Sequence, residues 1–475
     1  MIEAFDTLWD QTRPGFVQER TWRRARTLAL SALVGLGRRT VTGMLSACAQ
    51  HGVDWSAAYR LFERERFDKE ALFAPARRGA CSRLGENDPL VVLMDDTLVR
   101  KRGRRVFGAS WKRDPLGPPF CNNFVWGQRF LQLSAALPEG VGLRRARGIP
   151  IDLTHCPLPK KPWRNAPPEA WEEYQRLQKT MKVSVVGGNR IKALRASMDA
   201  DPGNGHRPLI LAVDGSFTNK TVFRDLPENT TVVGRIRKDA RLFLPPAPSD
   251  RPRRGRRPWY GDPLPTPEQI RQDPSLPWIT VPAWGSGQIH RFEVKTLAPV
   301  RWAGSGRKDV RLVVIRPLAY RPRKRARLLY RDPVYLVCTN PELPLGQLLQ
   351  SFLWRWEIEQ NFRDEKTVLG VGEAQVRTKT AVETVPCLVV AAYAFLLLVS
   401  AEVGRGGISL PLPKWRRMAP GERDSTPRLI GALRSQLWGK ALGVNLNHFV
   451  NNTEGKTNTG KIGDALPSAV CYAFR

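Results

Sequence analysis

The sequence predicts an α/β protein in which a mixed sheet is flanked by helices. Short apolar runs at residues 90–94 and 209–213 are typical of buried strands, and segments with helical patterns separate such runs along the chain. Hydrophobic residues make up 42% of the 475 residues, and the chain contains 15 Trp. This composition excludes a disordered chain and indicates a substantial core.

The first 84 residues are predicted to form a helical domain. Residues 40–49 and 54–63 suit two short helices, with a glycine-containing turn at residues 51–53 between them. Asp54 or Ser56 can cap the second helix. Helix, turn and helix in this order have the outline of a helix-turn-helix motif, which plain helical hairpins share. Contact with DNA and simple helical packing therefore both stay open for this domain.

Residues 85–244 are predicted to form the first part of the sheet. Further candidate strands and one long helix follow residues 90–94, namely strands at 124–137, 148–153, 209–213 and 231–236 and a helix over 168–200. Residues 245–330 interrupt this pattern with a stretch rich in Pro and Arg and then a purely β segment. We therefore expect a linker and a β insertion there.

The core is predicted to resume over residues 331–403. A strand at 334–339 is followed by a long helix over 345–369 and by an apolar stretch that is helical from Cys387. We expect residues 404–475 to form a C-terminal helix and a loose tail. The tail is expected because the last thirty or so residues are rich in Asn and Gly.

The charge indicates a polyanionic partner. Lys and Arg number 76 against 44 Asp and Glu, which gives a net charge of +32. Nucleic acid is the usual partner of so basic a protein, and an Arg-rich genome would not explain the excess over acids. Residues 97–113 contain seven Lys or Arg and no acid. We expect five of these basic residues to contact DNA phosphates, with a solvated loop as the alternative: Arg100, Lys101, Arg102, Arg104 and Arg105.

The cysteines and the apolar runs indicate a cytoplasmic protein. Seven Cys are scattered without a CxxC pair, which is typical of reduced thiols. The N-terminus lacks the pattern of a signal peptide. The longest apolar run, residues 387–399, is too short to span a bilayer, so we expect no membrane contact.

Carboxylates follow two of the buried runs. Asp95 and Asp96 come directly after residues 90–94, and Asp214 comes directly after residues 209–213. Ligands gather at the ends of strands in α/β sheets, and carboxylates placed there can hold a divalent metal ion. An Asp that only caps a turn is the alternative for each of them.

The helix predicted over residues 345–369 adds a third carboxylate. At about 100° per residue, one stripe of this helix presents an aromatic residue, a carboxylate and two cations. These residues are Phe352, Arg355, Glu359 and Lys366. A surface Arg–Glu pair four residues apart is the alternative interpretation.

The spacing Phe352-x2-Arg355-x3-Glu359-x6-Lys366 resembles the Tyr-Arg-Glu-Lys signature of insertion-sequence transposases of the DDE class. The resemblance extends over about residues 35–380, because both earlier acidic motifs precede the signature in the right order. Phe352 departs from the pattern, since it lacks the hydroxyl group that contacts phosphate in family members. The departure weakens the expected phosphate contact and leaves the carboxylates untouched.

The resemblance implies an RNase H-like core and a metal site. Asp95, Asp214 and Glu359 would be the catalytic carboxylates that bind two Mg²⁺ ions, for which Mn²⁺ can substitute. Asp96 is the alternative to Asp95. The preference for Asp95 is slight and rests on the Asp-x-Thr pattern of the family's first motif, which Thr97 completes.

The resemblance also implies further DNA contacts. The stripe residues Phe352, Arg355 and Lys366 would lie against DNA. Hairpin-forming members stack an aromatic side chain from the β insertion on a flipped base. Trp284 and Trp302 each precede a glycine-rich segment that predicts a hairpin tip, and Trp302 is the preferred candidate. Packing in the core of the insertion is the alternative for both.

Together these features predict a transposase that binds terminal inverted repeats, cleaves the transposon ends and joins the 3′ ends to target DNA. We expect it to act as a homodimer on double-stranded DNA in the bacterial cytoplasm, associated with the nucleoid. Two alternatives stay open: a non-catalytic DNA-binding regulator derived from a transposase, and a host nuclease with an RNase H-like core. An RNA-binding structural protein would leave the three carboxylates unexplained.

Overall fold

The computed structural model describes most of the chain. The described residues are 1–114, 117–118, 120–121, 123–140, 142–247, 258–306, 308–323, 325–404, 416, 422–439 and 469–472. Residues 248–257 of the predicted linker lie outside them, as does most of the tail predicted to be loose.

Besides a 3-10 helix (Arg13–Gly15) and a helical turn at residues 469–472, the described part of the chain contains thirteen α-helices. They are α1 (Ile2–Asp10), α2 (Glu19–Val34), α3 (Val41–Ala47), α4 (Ser56–Glu63), α5 (Lys69–Cys81), α6 (Pro168–Thr180), α7 (Val183–Asp199), α8 (Lys220–Phe223), α9 (Pro267–Gln272), α10 (Leu345–Trp354), α11 (Trp356–Thr367), α12 (Lys379–Val403) and α13 (Thr426–Trp438). The helix predicted over residues 168–200 is two helices, α6 and α7, and the helix predicted over residues 345–369 is α10 and α11.

Fourteen strands occur in the same residues. They are β1 (Leu90–Arg100), β2 (Ser110–Arg113), β3 (Phe124–Pro138), β4 (Ala146–His155), β5 (Leu209–Val213), β6 (Thr230–Arg235), β7 (Leu242–Phe243), β8 (Pro263–Leu264), β9 (Ile279–Gly285), β10 (Gln288–Trp302), β11 (Asp309–Ile315), β12 (Ala319–Tyr320), β13 (Leu329–Tyr330) and β14 (Val334–Cys338). Each apolar run that predicted a strand in residues 85–244 lies in one of them.

Twelve of these strands form one mixed sheet. β2 and β4 pair with β3, and the order continues through β1, β5, β6, β14, β11 and β10 to β7 and β8, with β9 also on β10. β1 is antiparallel to β3 but parallel to β5, and β5 is parallel to β6. Three parallel strands beside an antiparallel meander are the arrangement of an RNase H-like core, so the predicted fold class is confirmed.

The β-rich segment continues the core sheet. β14 is antiparallel to β6 on one side and to β11 on the other, and β11 is antiparallel to β10. Without β14, the edge of β6 would present unpaired backbone N–H and C=O groups, and the pairing satisfies them. Strand pairing therefore crosses residue 330, where the sequence predicts a boundary between insertion and core.

Helices cover both faces of the sheet. Side chains alternate across a strand, so Leu93 of β1 points to one face, where it lies in an apolar cluster with Leu349 of α10. Met94 points to the other face and lies in a cluster with Ile191 of α7. Leu93 and the next odd-numbered residue, Asp95, therefore point towards α10 and α11.

The N-terminal helices pack around α12. The ring of Phe395 lies 5.9 Å from that of Phe5 and 6.1 Å from that of Trp9. α12 begins at Lys379 rather than near Cys387, and it runs through Pro386, because tertiary packing overrides the helix-breaking tendency of proline. By length and composition α12 is apolar enough to cross a membrane, but 94% of its most apolar window is buried inside the protein. The burial explains the composition.

The predicted helix-turn-helix pair corresponds to α3 and α4. The side chain of Thr40 caps α3 by accepting a hydrogen bond from the Gly43 N–H. Residues 48–55 join the two helices, and this connection exceeds the three or four residues of a helix-turn-helix turn. The pair is a helical hairpin with a longer connection, and its contact with DNA stays a prediction.

Candidate active site

Two carboxylates lie side by side where the parallel pairing of β1 and β5 ends. Met94 of β1 is in register with Val213 of β5, and Asp95 and Asp214 are the residues that follow them in the sequence. β1 does not end before Asp95, as the sequence predicts, but runs on to Arg100 along β3. The carboxylates therefore mark the carboxyl end of β5, where ligands gather in α/β sheets.

Asp95 and Asp214 point to the same face of the sheet. Leu93 and Ala212, two residues earlier on the two strands, both belong to the apolar cluster beneath α10 and α11. Side chains two residues apart on a strand share a face. The Oδ1 atom of Asp214 accepts hydrogen bonds from the N–H and hydroxyl groups of Ser216, which orient this carboxylate.

Asp96, the alternative first carboxylate, points to the opposite face. Its carboxylate forms a salt bridge with Arg129 of β3 at 3.2 Å. Burial raises the pKa of Asp96, and the Arg129 guanidinium opposes that rise. Asp96 thus has a partner on the face away from α11, whereas Asp95 points towards α11.

Arg355 connects Asp95 to the third carboxylate. Its Nη1 atom donates to Asp95 Oδ2 at 3.1 Å, and its Nη2 atom donates to Glu359 Oε1 at 3.2 Å. Arg355 is only 6% exposed, so the guanidinium group is held inside the site and not offered to solvent. Asp95, Arg355 and Glu359 form one continuous ion-paired chain from β1 to α11.

The position of Arg355 follows from a break between α10 and α11. The Arg355 N–H donates to the Phe352 carbonyl, and the Ile358 N–H donates to the Arg355 carbonyl. Both bonds span three residues instead of four, which tightens the chain and separates the two helices. The single continuous stripe predicted from regular helical geometry is therefore interrupted at its second residue.

Two other residues of the predicted stripe have different surroundings. Phe352 is 6% exposed and lies in the apolar cluster with Leu349, so it is not placed to contact DNA. A ring without a hydroxyl group is stabilised by this burial. Lys366 is exposed in the last turn of α11, and its Nζ atom lies 5.8 Å from the ring of Phe362. Lys366 can reach a phosphate outside the site.

Two of the five basic residues predicted to contact DNA are held by partners within the protein. The Nζ atom of Lys101 donates to the Gly372 carbonyl at 2.6 Å, and burial lowers the pKa of Lys101 to about 8. Arg100 forms a salt bridge with Asp114 at 2.8 Å. The ammonium group of Lys101 thus closes the loop against Gly372, and its contact with DNA stays a prediction.

The other three basic residues remain at the surface. Arg102 and Arg105 are exposed. The guanidinium carbon of Arg104 lies 5.5 Å from the ring centres of both Trp111 and Trp126, which face each other across β2 and β3. This stretch therefore still offers three exposed cations to a polyanion.

Trp284 and Trp302 both lie beside hairpin turns, as predicted, but neither side chain is fully exposed. Trp302 ends β10, its ring lies 6.1 Å from that of Phe223, and a Cβ atom on Gly304 would come within 2.3 Å of it. The following turn therefore covers the ring. The half-buried Trp284 is fixed through its backbone, since its N–H donates to Gln350 Oε1 at 2.8 Å. Both positions favour packing over base stacking.

Replacing Trp302 should therefore destabilise the protein. We expect Trp302→Ala to lower the free energy of unfolding by about 3 kcal/mol, because it leaves a cavity beside Phe223. Urea unfolding measures the loss. Trp163→Ala is the matched control, since the Trp163 side chain is exposed and its removal should be nearly neutral. Unchanged stability with a selective defect in second-strand cleavage would instead support base stacking.

A buried carboxyl group that no sequence motif marks lies beneath the site. Glu365 of α11 accepts a hydrogen bond from Gln132 Nε2 at 2.9 Å, and Gln132 is in register with Asp95. Burial raises the pKa of Glu365 to about 8, so it is mostly neutral at pH 7. In the sequence it is one charged residue among several, and no spacing distinguishes it.

This raised pKa predicts a pH-dependent stability. The folded state favours protonated Glu365, whereas the unfolded chain loses the proton near its ordinary pKa of 4.5. The stabilising contribution is thus complete below about pH 4.5 and is lost as the pH rises through 8. Glu365→Gln should remove this dependence, so the variant should gain stability over the wild type between pH 6 and pH 8.5 in urea unfolding. Parallel curves for both proteins would contradict a neutral Glu365.

A comparison with known families decides the identity of the chain. The family model described as DDE superfamily endonuclease matches residues 14–283, which is more than half of the sequence. The chain belongs to this family. The matched residues include Asp95 and Asp214 but end before Glu359. None of the curated proteins compared with the sequence matches it.

Membership in the DDE superfamily endonucleases defines the broad function. The chain is a transposase or nuclease in the general sense, and its substrate class is DNA. DDE endonucleases generally use divalent metal ions. The residues that resemble the Tyr-Arg-Glu-Lys signature, 352–366, lie outside the matched range, so the likeness to that group stays a prediction.

The carboxylates fit such a metal ion by their chemistry. Burial raises the pKa of Asp95 to about 7, the neighbouring Asp214 contributes to that rise, and Arg355 opposes both effects. A buried carboxylate beside a second one is stabilised by a cation, and carboxylate oxygen is the ligand that Mg²⁺ prefers. Among the described residues no three acidic, His or Cys side chains are yet arranged to hold a metal ion. Arg355 is the cation that joins Asp95 to Glu359 in this arrangement.

Proposed function

We propose that this DDE endonuclease is the transposase of an insertion sequence. It binds terminal inverted repeats, cleaves the transposon ends and joins the 3′ ends to target DNA, acting as a homodimer on double-stranded DNA in the bacterial cytoplasm, associated with the nucleoid. One observation carries the proposal. Asp95 and Asp214 come directly after the parallel-paired segments of β1 and β5, on one face of an RNase H-like sheet, and Arg355 links Asp95 to Glu359.

Asp95, Asp214 and Glu359 would hold two Mg²⁺ ions, for which Mn²⁺ can substitute. Divalent ions bound by such carboxylates lower the pKa of a water molecule or a 3′-hydroxyl group and stabilise charge on the leaving oxygen. Arg355 keeps Asp95 and Glu359 close before DNA arrives, which limits the rearrangement needed on binding. Lys366, exposed on the same helix as Glu359, would hold a phosphate near the reacting group.

The experiment that tests the proposal incubates the purified protein with linear DNA that carries the element's ends, in Mg²⁺ or in EDTA, together with a target plasmid. We expect strand breaks at the ends and joined products in Mg²⁺, and neither in EDTA. DNA of the same length with scrambled terminal repeats is the control, and it should be left largely uncut.

The same experiment separates the alternatives. Cleavage without joined products would identify a nuclease with the same core and no strand-transfer activity. Specific binding to the repeats without cleavage in any divalent metal would identify a regulator derived from a transposase. Either result would overturn the proposed function.

A further inference from the structure

Four arginines line a cavity between α2 and α4 that has no part in the site described above. The cavity has a volume of about 190 Å³ and is bordered by Arg20, Arg24, Arg60 and Arg66. No Asp or Glu lines it among the residues that the structure describes. Because four like charges around one small cavity repel one another, an anion inside it would be stabilised.

The partners of these arginines distinguish them from their neighbours. Arg24 and Arg66 form no hydrogen bond or salt bridge with any residue in the described part of the chain. In contrast, Arg13 and Arg23, which lie close to them in sequence, both bind the carboxylate of Glu19. Two of the four guanidinium groups at the cavity therefore form no salt bridge, whereas Arg13 and Arg23 outside it do.

The nearest carboxylate does not neutralise the cavity. Asp54 lies 3.6 Å from Arg60 Nη2, which is a loose contact at the exposed rim. Hydrogen bonds from the N–H and hydroxyl groups of Ser56 lower the pKa of Asp54 and engage its oxygens, and water screens its charge. Arg20 binds only the neutral amide of Gln18. Asp54 also attracts Arg24, but it forms no salt bridge with Arg20, Arg24 or Arg66 in the described residues.

The remaining lining adds no acidic group and favours a phosphate. Guanidinium groups donate paired hydrogen bonds to phosphate oxygens. Gln18 and Thr21, at the beginning of the 16-residue α2, also line the cavity, so the positive end of that helix adds to its potential. Ala57 and Leu61 complete the wall and present only apolar side chains.

We infer that this cavity binds a phosphate of the DNA backbone and does not distinguish bases. The inference rests on the proposed function, which supplies DNA as the ligand. Arg20, Arg60 and Arg66 are exposed at the rim, so a continuous polymer can pass over the cavity without being enclosed. α4 then contributes a phosphate contact through Arg60 instead of acting as a recognition helix, in agreement with the long connection between α3 and α4.

The test measures how the binding of the full-length protein to a linear duplex depends on salt, in EDTA so that cleavage does not interfere. The double variant Arg24→Ala, Arg66→Ala should show a shallower slope of log K against log salt, by about 0.9 for each phosphate that the variant no longer neutralises. Affinity should fall equally on terminal repeats and on random DNA. Arg23→Ala is the matched control on the same helix, and its slope should equal that of the wild type.

A second variant separates charge from folding. Arg24→Lys, Arg66→Lys keeps both charges and should restore most of the slope, although an ammonium group cannot donate the paired hydrogen bonds of a guanidinium group. An unchanged slope in the alanine variant, with the wild type still binding DNA, would overturn the inference and leave the proposed function standing. A wild type that binds no DNA would overturn both.

Inorganic phosphate distinguishes the source of the ligand. Melting temperatures of the wild type and of the alanine variant are compared in phosphate and in chloride at matched ionic strength. A phosphate-induced rise confined to the wild type, together with the slope change on DNA, supports the inference. The same rise without any slope change would assign the cavity to free phosphate and overturn the DNA assignment.

Discussion

Asp214→Asn is expected to abolish DNA cleavage and to leave DNA binding nearly intact. The substitution keeps the shape of the side chain and its bonds to Ser216, but it removes one of the charges that would hold metal ions. Losing that charge stabilisation should slow cleavage by at least about a thousandfold, equivalent to about 4 kcal/mol in the transition state. Cleavage of end-bearing DNA in Mg²⁺ and a binding assay in EDTA measure the two properties separately.

Asp95→Asn and Glu359→Gln should give the same result. The variant Asp96→Asn tests whether Asp95 or Asp96 is the metal ligand on β1. Asp96 points to the opposite face and pairs with Arg129, so Asp96→Asn should affect stability more than the chemical step. Loss of cleavage in Asp96→Asn, with normal cleavage in Asp95→Asn, would move the metal ligand to Asp96. Melting temperatures of all four variants exclude unfolding as the cause of a lost activity.

The strands of the core could be predicted because their signal is local. Runs such as Leu209–Val213 are buried on both faces, so the sequence is continuously apolar and ends where the chain leaves the sheet. A carboxylate directly after such a run must lie at the strand end, and Asp214 does. The rule fails for Asp95, because β1 continues to Arg100 along β3. Asp95 still lies beside Asp214, because the apolar pattern of β1 changes where β5 stops.

The binding partners of individual Lys and Arg side chains could not be predicted, because these partners belong to segments that are distant in the sequence. Lys101 stands in a run that looks uniformly basic, yet its ammonium group binds the carbonyl of Gly372, 271 residues away. Arg24 and Arg23 are neighbours in sequence, and of the two only Arg23 forms a salt bridge in the described residues. Whether a basic residue meets DNA or closes a loop is decided by tertiary contacts that composition does not record.

The hydrogen bond between Arg355 and Asp95 also could not be predicted from the sequence. Regular helical geometry predicts that Arg355 and Glu359 share a stripe, and their salt bridge agrees with that spacing. The bond from Arg355 to Asp95 depends on the break between α10 and α11, where two backbone hydrogen bonds span three residues instead of four. No residue type marks that break, since neither Gly nor Pro lies near it.

Arg355→Ala is expected to lower the free energy of unfolding in EDTA by about 3 kcal/mol. The substitution leaves the buried Asp95 without its cation and removes the link to Glu359, and breaking a buried ion pair on one side costs about this much. Urea unfolding in EDTA measures the loss. Arg363→Ala on the same helix is the control, because Arg363 is exposed and its pair with Asp364 should contribute less than about 1 kcal/mol.

Mg²⁺ should then recover more stability in Arg355→Ala than in the wild type. With Arg355 present, the guanidinium group already neutralises Asp95 and Glu359, so a divalent ion gains less from them; without it, both carboxylates are free to hold the ion. Arg355→Lys should lie between the two, since a single ammonium group cannot donate to both carboxylates with the geometry of a guanidinium fork. Equal Mg²⁺-induced stabilisation in all three proteins would mean that the ion does not bind at these carboxylates. A larger Mg²⁺-induced stabilisation in Arg355→Ala, with Arg363→Ala responding as the wild type does, would place the ion at Asp95 and Glu359.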